Sequence, residues 1–350
     1  MTINSYKYPL MDFGKGPVVL LFFDGYDLHA RDGFIGKVQS WLHHRLRNTK
    51  RRLYKQQPYT GFYVAFIGLV NSLKAIGCDV RVNDFKLAKR YPDYPIGVAG
   101  YPSILSRVDR LKNPRIFGPG DFGFPREDDL DVSKDSRYRY FIQPCDWFCQ
   151  MYEPFCSGRM FRWPAGIDVE SFQDLSIRPK KYDFLIYDKI RWHRETEEDR
   201  VLSRILNYLD KKGLTYTSVR YGQHHYNDFM QGLSDSKAMI FVCEHETQGL
   251  ACQEALASNI PVLAWDEGKL VDPELKKLVS NEFVVSSVPY FNDSCGTRFT
   301  IDEFESCCDE FLQGNFLPRD FIQGNLSLSK LGMLYINKYK SLLRKNDESH

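Results

Sequence analysis

Two glutamates stand eight residues apart in the stretch VCEHETQGLACQEALASNIPVLAWD, residues 242–266. A short apolar strand is predicted to end near Glu246, a glycine turn follows, and Glu254 lies one turn into a predicted helix. Because helical side chains tilt toward the helix N-terminus, both carboxylates can point at one pocket. Carboxylates accept hydrogen bonds from sugar hydroxyls, although spacing alone is weak evidence, since Glu274 and Glu282 repeat it.

The helix predicted to carry Glu254 offers a second kind of chemistry at its start. If the helix begins near Gly249 or Leu250, the backbone N–H groups of residues 248–251 have no partner within the helix. They also carry the positive end of the helix dipole. We therefore expect this end to accept a phosphate group.

Basic residues follow another predicted strand, FLIY, in the stretch DKIRWHR. Lys189, Arg191 and Arg194 lie just past the carboxyl end of that strand, which is the edge where parallel sheets bind ligands. Lys189 and then Arg191 are closest to the strand end, so they are the first candidates to meet an anion at this edge.

The elements around these residues alternate between strands and helices. Residues 17–23, PVVLLFF, form a continuous apolar run, as expected for a strand buried on both faces of a parallel sheet. In the C-terminal half, strands are predicted at 182–187, 214–220, 238–243 and 261–265, with helices between them. This alternation predicts an α/β chain with doubly wound parallel sheets.

The order Glu246, TQGLACQ, Glu254, ALASN, IPVLAWD resembles the donor-site signature of retaining glycosyltransferases with the GT-B fold, most closely glycosyltransferase family 4. The resemblance covers residues 180–270 strongly and the rest of the chain loosely. It implies two Rossmann-like doubly wound parallel-sheet domains that face a central cleft. The implied parts are an acceptor domain over 1–168, a nucleotide-sugar donor domain over 169–323, and a C-terminal helix within 324–350 that crosses back to the first domain.

The resemblance also implies an activity. A retaining, hexosyl-type glycosyltransferase of glycan or polysaccharide biosynthesis would move a sugar from a nucleotide diphosphate sugar to a glycan or lipid-linked acceptor. The sequence does not identify the base of that nucleotide. It would need no tightly bound cofactor and no metal. Glu246 would hold hydroxyls of the transferred sugar, Glu254 the ribose hydroxyls, and Lys189 and Arg191 the diphosphate. The other implied donor contacts are Tyr221 and Gly222 near the base, and Thr247, Gln248, Gly249 and Leu250 near the phosphates.

Two positions of the N-terminal half bear on the reaction. Gly61 stands at a helix entry, where it either lets a phosphate or acceptor approach the backbone or is an ordinary turn glycine. Many family members carry a His near the reacting sugar, but the corresponding stretch here, GPGDFGFP, offers Asp121 instead. The missing His leaves a non-catalytic GT-B-like binding protein as one alternative. A nucleotide-sugar epimerase with the same fold is the other.

The whole chain limits partners and location. A formal net charge of +2 gives no general attraction to nucleic acid, and the chain contains neither an apolar run of membrane-spanning length nor a leader, so a cytoplasmic location is expected. Residues 31–57, however, combine a helical apolar stripe and Trp41 with a run of seven basic residues from Lys37 to Lys55. This segment is either a helix lying at an anionic membrane surface, which would make the protein peripheral, or a domain helix whose basic face is solvated or meets an anionic acceptor.

Overall fold

The computed structural model describes residues 9–24, 45 and 61–344. These residues divide into two compact units, each built around one parallel sheet. The first unit contains residues 9–24, 61–166 and 327–344, and the second is Ile167–Leu326.

The first unit has a six-stranded sheet in the order β2-β1-β3-β4-β5-β6, and every neighbouring pair is parallel. All the apolar side chains of β1 are buried, which explains why its sequence is a continuous apolar run rather than an alternating one. The strands are β1 (Val18–Asp24), β2 (Asp79–Val82), β3 (Ile96–Gly100), β4 (Arg115–Gly120), β5 (Tyr138–Gln143) and β6 (Met160–Arg162). The helices between them are α1 (Gly61–Ala75), α2 (Phe85–Arg90), α3 (Ser103–Val108) and α4 (Asp146–Cys156).

The second unit has a five-stranded parallel sheet in the order β11-β10-β9-β7-β8. Its strands are β7 (Tyr182–Asp188), β8 (Tyr216–Arg220), β9 (Ser236–Val242), β10 (Val262–Trp265) and β11 (Gly296–Phe299). Its helices are α5 (Arg194–Glu197), which continues through a π turn (Glu198–Leu202) into α6 (Ser203–Lys212), then α7 (Tyr226–Asp235), α8 (Leu250–Ala257), α9 (Pro273–Lys276), α10 (Phe304–Phe311) and α11 (Pro318–Asn325).

The last helix, α12 (Leu328–Ser341), belongs to the first unit, where it packs against α1. The two helices approach so closely that a Cβ added to Gly332 would lie 2.2 Å from the carbonyl oxygen of Ser72. The indole N–H of Trp163 donates to the carbonyl of Leu331 at 3.0 Å. A side chain at position 332 would therefore push the two helices apart.

Two buried tyrosines of α12 differ in how their hydroxyls are satisfied. The Tyr339 hydroxyl accepts from the Leu20 amide of β1 at 3.0 Å and donates to the carbonyl of Pro95. The Tyr335 hydroxyl is buried and has no hydrogen-bond partner among the described residues. Tyr339 therefore anchors α12 to the sheet, whereas the Tyr335 hydroxyl only carries a desolvation cost.

In both units the strand order has the doubly wound form in which the second strand lies outside the first and the third strand lies on the other side. The predicted α/β fold with two doubly wound parallel sheets is therefore confirmed. Within the described residues, every helix is too short or too polar to cross a membrane.

Candidate functional site

The candidate site lies where the winding direction of the second sheet reverses. Strands β7 and β9 are neighbours there although β8 comes between them in sequence, and Asp188 is paired with Val242. Ligands of doubly wound sheets bind at this switch point, outside the carboxyl ends of the strands. The segments that leave the two strands, 189–192 and 243–249, therefore emerge side by side.

These two segments bring the predicted cations to the first glutamate. The ammonium group of Lys189 forms an ion pair with Glu246 Oε1, and the two side chains are only 12% and 11% exposed. Arg191 Nη2 lies 3.8 Å from the same oxygen and donates to the carbonyl of His245 at 2.6 Å. The Lys189 ammonium also lies 4.4 Å from the ring centre of Tyr221. Four predicted site residues thus converge.

Arg194, the third cation of this stretch, has a different position. Its guanidinium binds both carboxylate oxygens of the buried Asp188, at 2.7 and 2.6 Å, and contacts Glu198 at 2.8 Å. These hydrogen bonds raise the pKa of Arg194. Because its donors are occupied by the two carboxylates, Arg194 fixes the start of α5 rather than offering charge to a ligand.

The helix that carries Glu254, α8, begins at Leu250, and Gly249 precedes it with a left-handed φ of +75°. Within the described chain, the amides of Leu250 and Ala251 have no acceptor, as expected for a first turn. The buried Gln253 side chain donates to the carbonyl of Gln248 at 2.7 Å and so fixes the approach to the helix. The helix start can therefore offer free amides to an anion.

The residues before this turn are held by a segment that follows β10. The Glu246 amide donates to the carbonyl of Ser286 at 2.9 Å. Ser286 Oγ in turn donates to the Asp266 carboxylate at 2.6 Å, and the Ser287 amide donates to its other oxygen at 3.0 Å. Thr247, the next residue, is half-buried. Asp266 at the end of β10 thus positions the Glu246 backbone.

Glu254 is half-buried, and no described residue pairs with its carboxylate. Burial raises its pKa to about 7. Burial also raises the pKa of Tyr187, and the nearby Tyr221, Glu246 and Glu254 raise it further. The pKa of Tyr226 is raised by burial and by Glu254. Glu246 and Glu254 therefore both lie near the buried Tyr187, and the Glu254 carboxylate is able to accept hydrogen bonds from a ligand.

Tyr221 and Gly222 form the turn after β8. The Tyr221 amide donates to the carbonyl of Asp188 at 2.8 Å, and its side chain is 43% exposed. Gly222 has a left-handed φ of +76°, which a glycine adopts without strain. An exposed ring therefore stands next to Lys189, while Gly222 is explained by its turn.

Gly61 and Asp121 belong to the first unit, whereas the other predicted site residues belong to the second. Gly61 is the exposed first residue of α1, and a Cβ added there would meet nothing within 4 Å. Asp121 is exposed after β4, where its carboxylate accepts from the Gly123 amide at 3.0 Å. The described residues contain no His, Cys, Asp and Glu group arranged to hold a metal ion.

The sequence reasoning missed two buried residues between β9 and Glu246. Glu244 Oε1 accepts from the amides of Arg191 and Trp192 at 2.9 and 3.0 Å. The His245 ring stacks on Trp192 at 4.7 Å and accepts from the Asp272 amide at 3.3 Å. Burial, with the nearby Arg191 charge, lowers the pKa of His245 to about 4, so it is neutral at pH 7. The available signal was the polar triplet EHE directly after a buried strand.

Comparison with known proteins supports the fold at the level of structure rather than sequence. No protein-family model and no curated protein matches the chain. Solved structures do. A glycosyltransferase from Rickettsia africae ESF-5 has a TM-score of 0.58 at 11% identity, covering 95% of this chain and 100% of that one. The sucrose-phosphate synthase of Thermosynechococcus elongatus has a TM-score of 0.55 at 12% identity, with coverages of 93% and 98%.

A further similar structure is AviGT4, a glycosyltransferase involved in avilamycin A biosynthesis, with a TM-score of 0.54 at 12% identity and coverages of 93% and 98%. Together with the two doubly wound units, these matches show that the chain has the GT-B fold of glycosyltransferases. The predicted GT-B resemblance is therefore confirmed. The basic segment 31–57 falls outside the described residues apart from Arg45, so its two interpretations remain predictions.

Proposed function

We propose that this protein is a retaining glycosyltransferase that moves a hexosyl-type sugar from a nucleotide diphosphate sugar to a glycan or lipid-linked acceptor. The observation that carries the proposal is the largely buried Lys189–Glu246 ion pair, with Arg191 beside it, at the switch point of the second sheet. This arrangement places cations, carboxylates and free helix amides at one end of a GT-B unit. A diphosphate attached to a sugar and a ribose requires those three kinds of partner.

The proposed chemistry relies on electrostatics and positioning. Lys189, Arg191 and the amides at the start of α8 stabilise the negative charge that develops on the leaving diphosphate, so this step needs no divalent metal. Glu246 accepts hydrogen bonds from hydroxyls of the transferred sugar. The Glu254 carboxylate, which pairs with no described residue, accepts hydrogen bonds from the ribose hydroxyls. The exposed Tyr221 ring contacts the base. Holding the donor in this geometry supplies much of the rate gain.

Donor binding also requires an exchange of ionic partners. In the structure, the Lys189 ammonium is paired with Glu246. A diphosphate carries more negative charge than one carboxylate, and it can draw the ammonium away. This exchange frees Glu246 Oε1 to accept a sugar hydroxyl. The ion pair therefore gives each of the two largely buried charges a partner until the donor binds. It also keeps both side chains next to the place where the donor is proposed to bind.

The proposal is tested with the purified full-length chain and a panel of UDP-, GDP- and ADP-sugars. One of these donors should release nucleoside diphosphate slowly without acceptor, and Lys189→Met should reduce that release at least tenfold. The matched control is Lys181→Met, because Lys181 is 67% exposed and pairs with Asp235 at the surface of the same unit. Its release rate should equal that of the unmodified chain.

Other outcomes separate the alternatives. If neither calorimetry nor thermal shift detects binding of any nucleotide, and nothing is turned over, the glycosyltransferase proposal fails. If the sugar is converted to an isomer without an acceptor, the protein is an epimerase. If a nucleotide sugar binds and no reaction occurs with any acceptor, the chain is a binding protein. Asp121→Asn tests whether Asp121 takes part, through a loss of transfer to an acceptor without a loss of donor binding.

For the location we propose a cytoplasmic protein that binds the membrane face peripherally through residues 31–57. The support comes from sequence, because the segment combines basic residues with an apolar stripe. Sedimentation with anionic vesicles at low salt should carry the protein down. Replacement of both Arg51 and Arg52 by Gln should weaken sedimentation, and an unchanged result would contradict the proposal.

A further inference from the structure

The loop that carries the two proposed phosphate ligands is fixed through its backbone. The Lys189 amide donates to the carbonyl of Val242 at 2.8 Å, and the Ile190 amide donates to the Asp188 carboxylate at 3.2 Å. The next two amides, those of residues 191 and 192, both donate to Oε1 of Glu244. All four amides are therefore occupied, and an anion can be bound by this loop only through its side chains.

Glu244 is an unusual residue for this position. It follows a strand that is buried apart from Lys237, and it is itself only 5% exposed. Its second oxygen, Oε2, has no hydrogen-bond partner among the described residues. A buried carboxylate with a bare oxygen costs free energy. Fold stability alone therefore does not explain a charged residue here, whereas the two amides it binds belong to the loop that carries Lys189 and Arg191.

Glu244 fixes the backbone amide of Arg191, and His245 and Trp192 fix its guanidinium. The guanidinium of Arg191 donates to the carbonyl of His245 and lies over the Trp192 ring at 4.2 Å. If the Glu244 acceptor is lost, the amides of Arg191 and Trp192 lose the bond that holds them, and the loop is free to turn toward water or another acceptor. That movement would displace the start of the Arg191 side chain and shift the neighbouring Lys189.

We propose that Glu244 is a positioning residue that holds the 189–192 loop so that Lys189 and Arg191 reach the diphosphate of the donor. The inference rests on the proposed function, since it assigns the two cations to that diphosphate. Glu244 contacts no part of the donor and acts through the backbone of Arg191 and Trp192. Its acceptor oxygen is the essential feature, and its charge is dispensable.

Glu244→Gln and Glu244→Leu separate these two properties. Glutamine keeps an acceptor oxygen at the same reach, while leucine keeps similar volume without an acceptor. We expect Glu244→Leu to weaken nucleoside diphosphate binding at least tenfold and to change nucleoside binding less than twofold. Glu244→Gln should bind the diphosphate within about threefold of the unmodified chain, because losing two good hydrogen bonds, not one charge, displaces the loop.

The experiment is calorimetric titration of the full-length variants with uridine, guanosine and adenosine, their diphosphates, and inorganic pyrophosphate. Pyrophosphate tests the phosphate site even if none of these bases is accepted. If the unmodified chain binds pyrophosphate but no nucleotide, the proposed function fails while the effect of Glu244 can still be measured. If it binds neither, both proposals fail.

Two results would overturn the role of Glu244 itself. One is unchanged diphosphate and pyrophosphate affinity in Glu244→Leu. The other is an equal loss of nucleoside and diphosphate binding, which would show general damage to the unit. Should Glu244→Leu fail to fold by circular dichroism, Glu244→Asp replaces it. Its carboxylate is one methylene short of the two amides, so it should lose diphosphate affinity selectively while keeping the charge.

Discussion

The bare carboxylate of Glu254 predicts a stability that depends on pH. Burial raises its pKa from the ordinary 4.5 to about 7, so the folded chain holds this proton more tightly than the unfolded chain does. Below pH 4.5 the Glu254 carboxyl is protonated in both the folded and the unfolded chain, so it does not lower the free energy of unfolding. As the pH rises from 4.5 to 7, the free energy of unfolding falls, and above pH 7 the titration of Glu254 lowers it no further.

The size of this loss follows from the two pKa values. A difference of this size corresponds to about 3 kcal/mol in total, and about 2 kcal/mol of it falls between pH 5.5 and 8. These values are upper limits, because Glu254 is half-buried and its carboxyl retains some contact with water. Glu254→Gln removes the titration, so the variant should gain up to about 2 kcal/mol on the unmodified chain between those two pH values.

Urea unfolding of both chains at pH 5.5 and 8 measures this difference, and the titration of all other groups cancels in the comparison. Glu274→Gln is the control, because Glu274 is exposed and pairs with Lys277 at the surface. Its difference from the unmodified chain should be equal at the two pH values. If the difference in free energy of unfolding between Glu254→Gln and the unmodified chain is also equal at the two pH values, the inference of a buried, unpaired carboxylate is wrong.

The same group links pH to donor binding. Hydroxyl donors of a ribose favour the charged carboxylate, so bound nucleotide should lower the pKa of Glu254. Nucleoside diphosphate affinity should therefore fall by up to about tenfold for each pH unit below 7 in the unmodified chain. In Glu254→Gln the affinity should be low and should lack this dependence. Calorimetry from pH 5.5 to 8 provides the comparison, and the same pH profile in both chains would refute the role.

Three further predictions concern other residues. Glu246→Gln should tighten nucleoside diphosphate binding about tenfold, because Lys189 loses its competing carboxylate, yet weaken binding of the nucleotide sugar; calorimetry giving changes of the same sign would contradict the partner exchange. Tyr339→Phe should lower the free energy of unfolding by about 1–3 kcal/mol, and Tyr335→Phe should lower it by nothing or raise it by about 1 kcal/mol, as measured by urea unfolding. Gly61→Ala should leave the melting temperature unchanged, and reduced turnover would then favour a functional glycine over an ordinary turn glycine.

The sequence carried much of the information about the fold. The apolar run of β1 and the alternation of elements predicted doubly wound parallel sheets, because burial on both faces demands continuous apolar strands. The predicted start of α8 near Leu250 agrees with the structure, because a glycine before an apolar helix is a strong local signal. These features depend on neighbouring residues, so a single sequence contains them.

The contacts of the site depended on tertiary structure. Arg191 and Glu244 are 53 positions apart, and they meet only because β7 and β9 are adjacent at the switch point. Distance from the strand end ranked Lys189 ahead of Arg194, but it did not reveal that Lys189 pairs with Glu246 or that Arg194 is bound by Asp188. The sequence by itself thus determined the elements and the residue types available at their ends. Only the order of strands in the sheet decided that Lys189 pairs with Glu246 and that Glu244 holds the amides of Arg191 and Trp192.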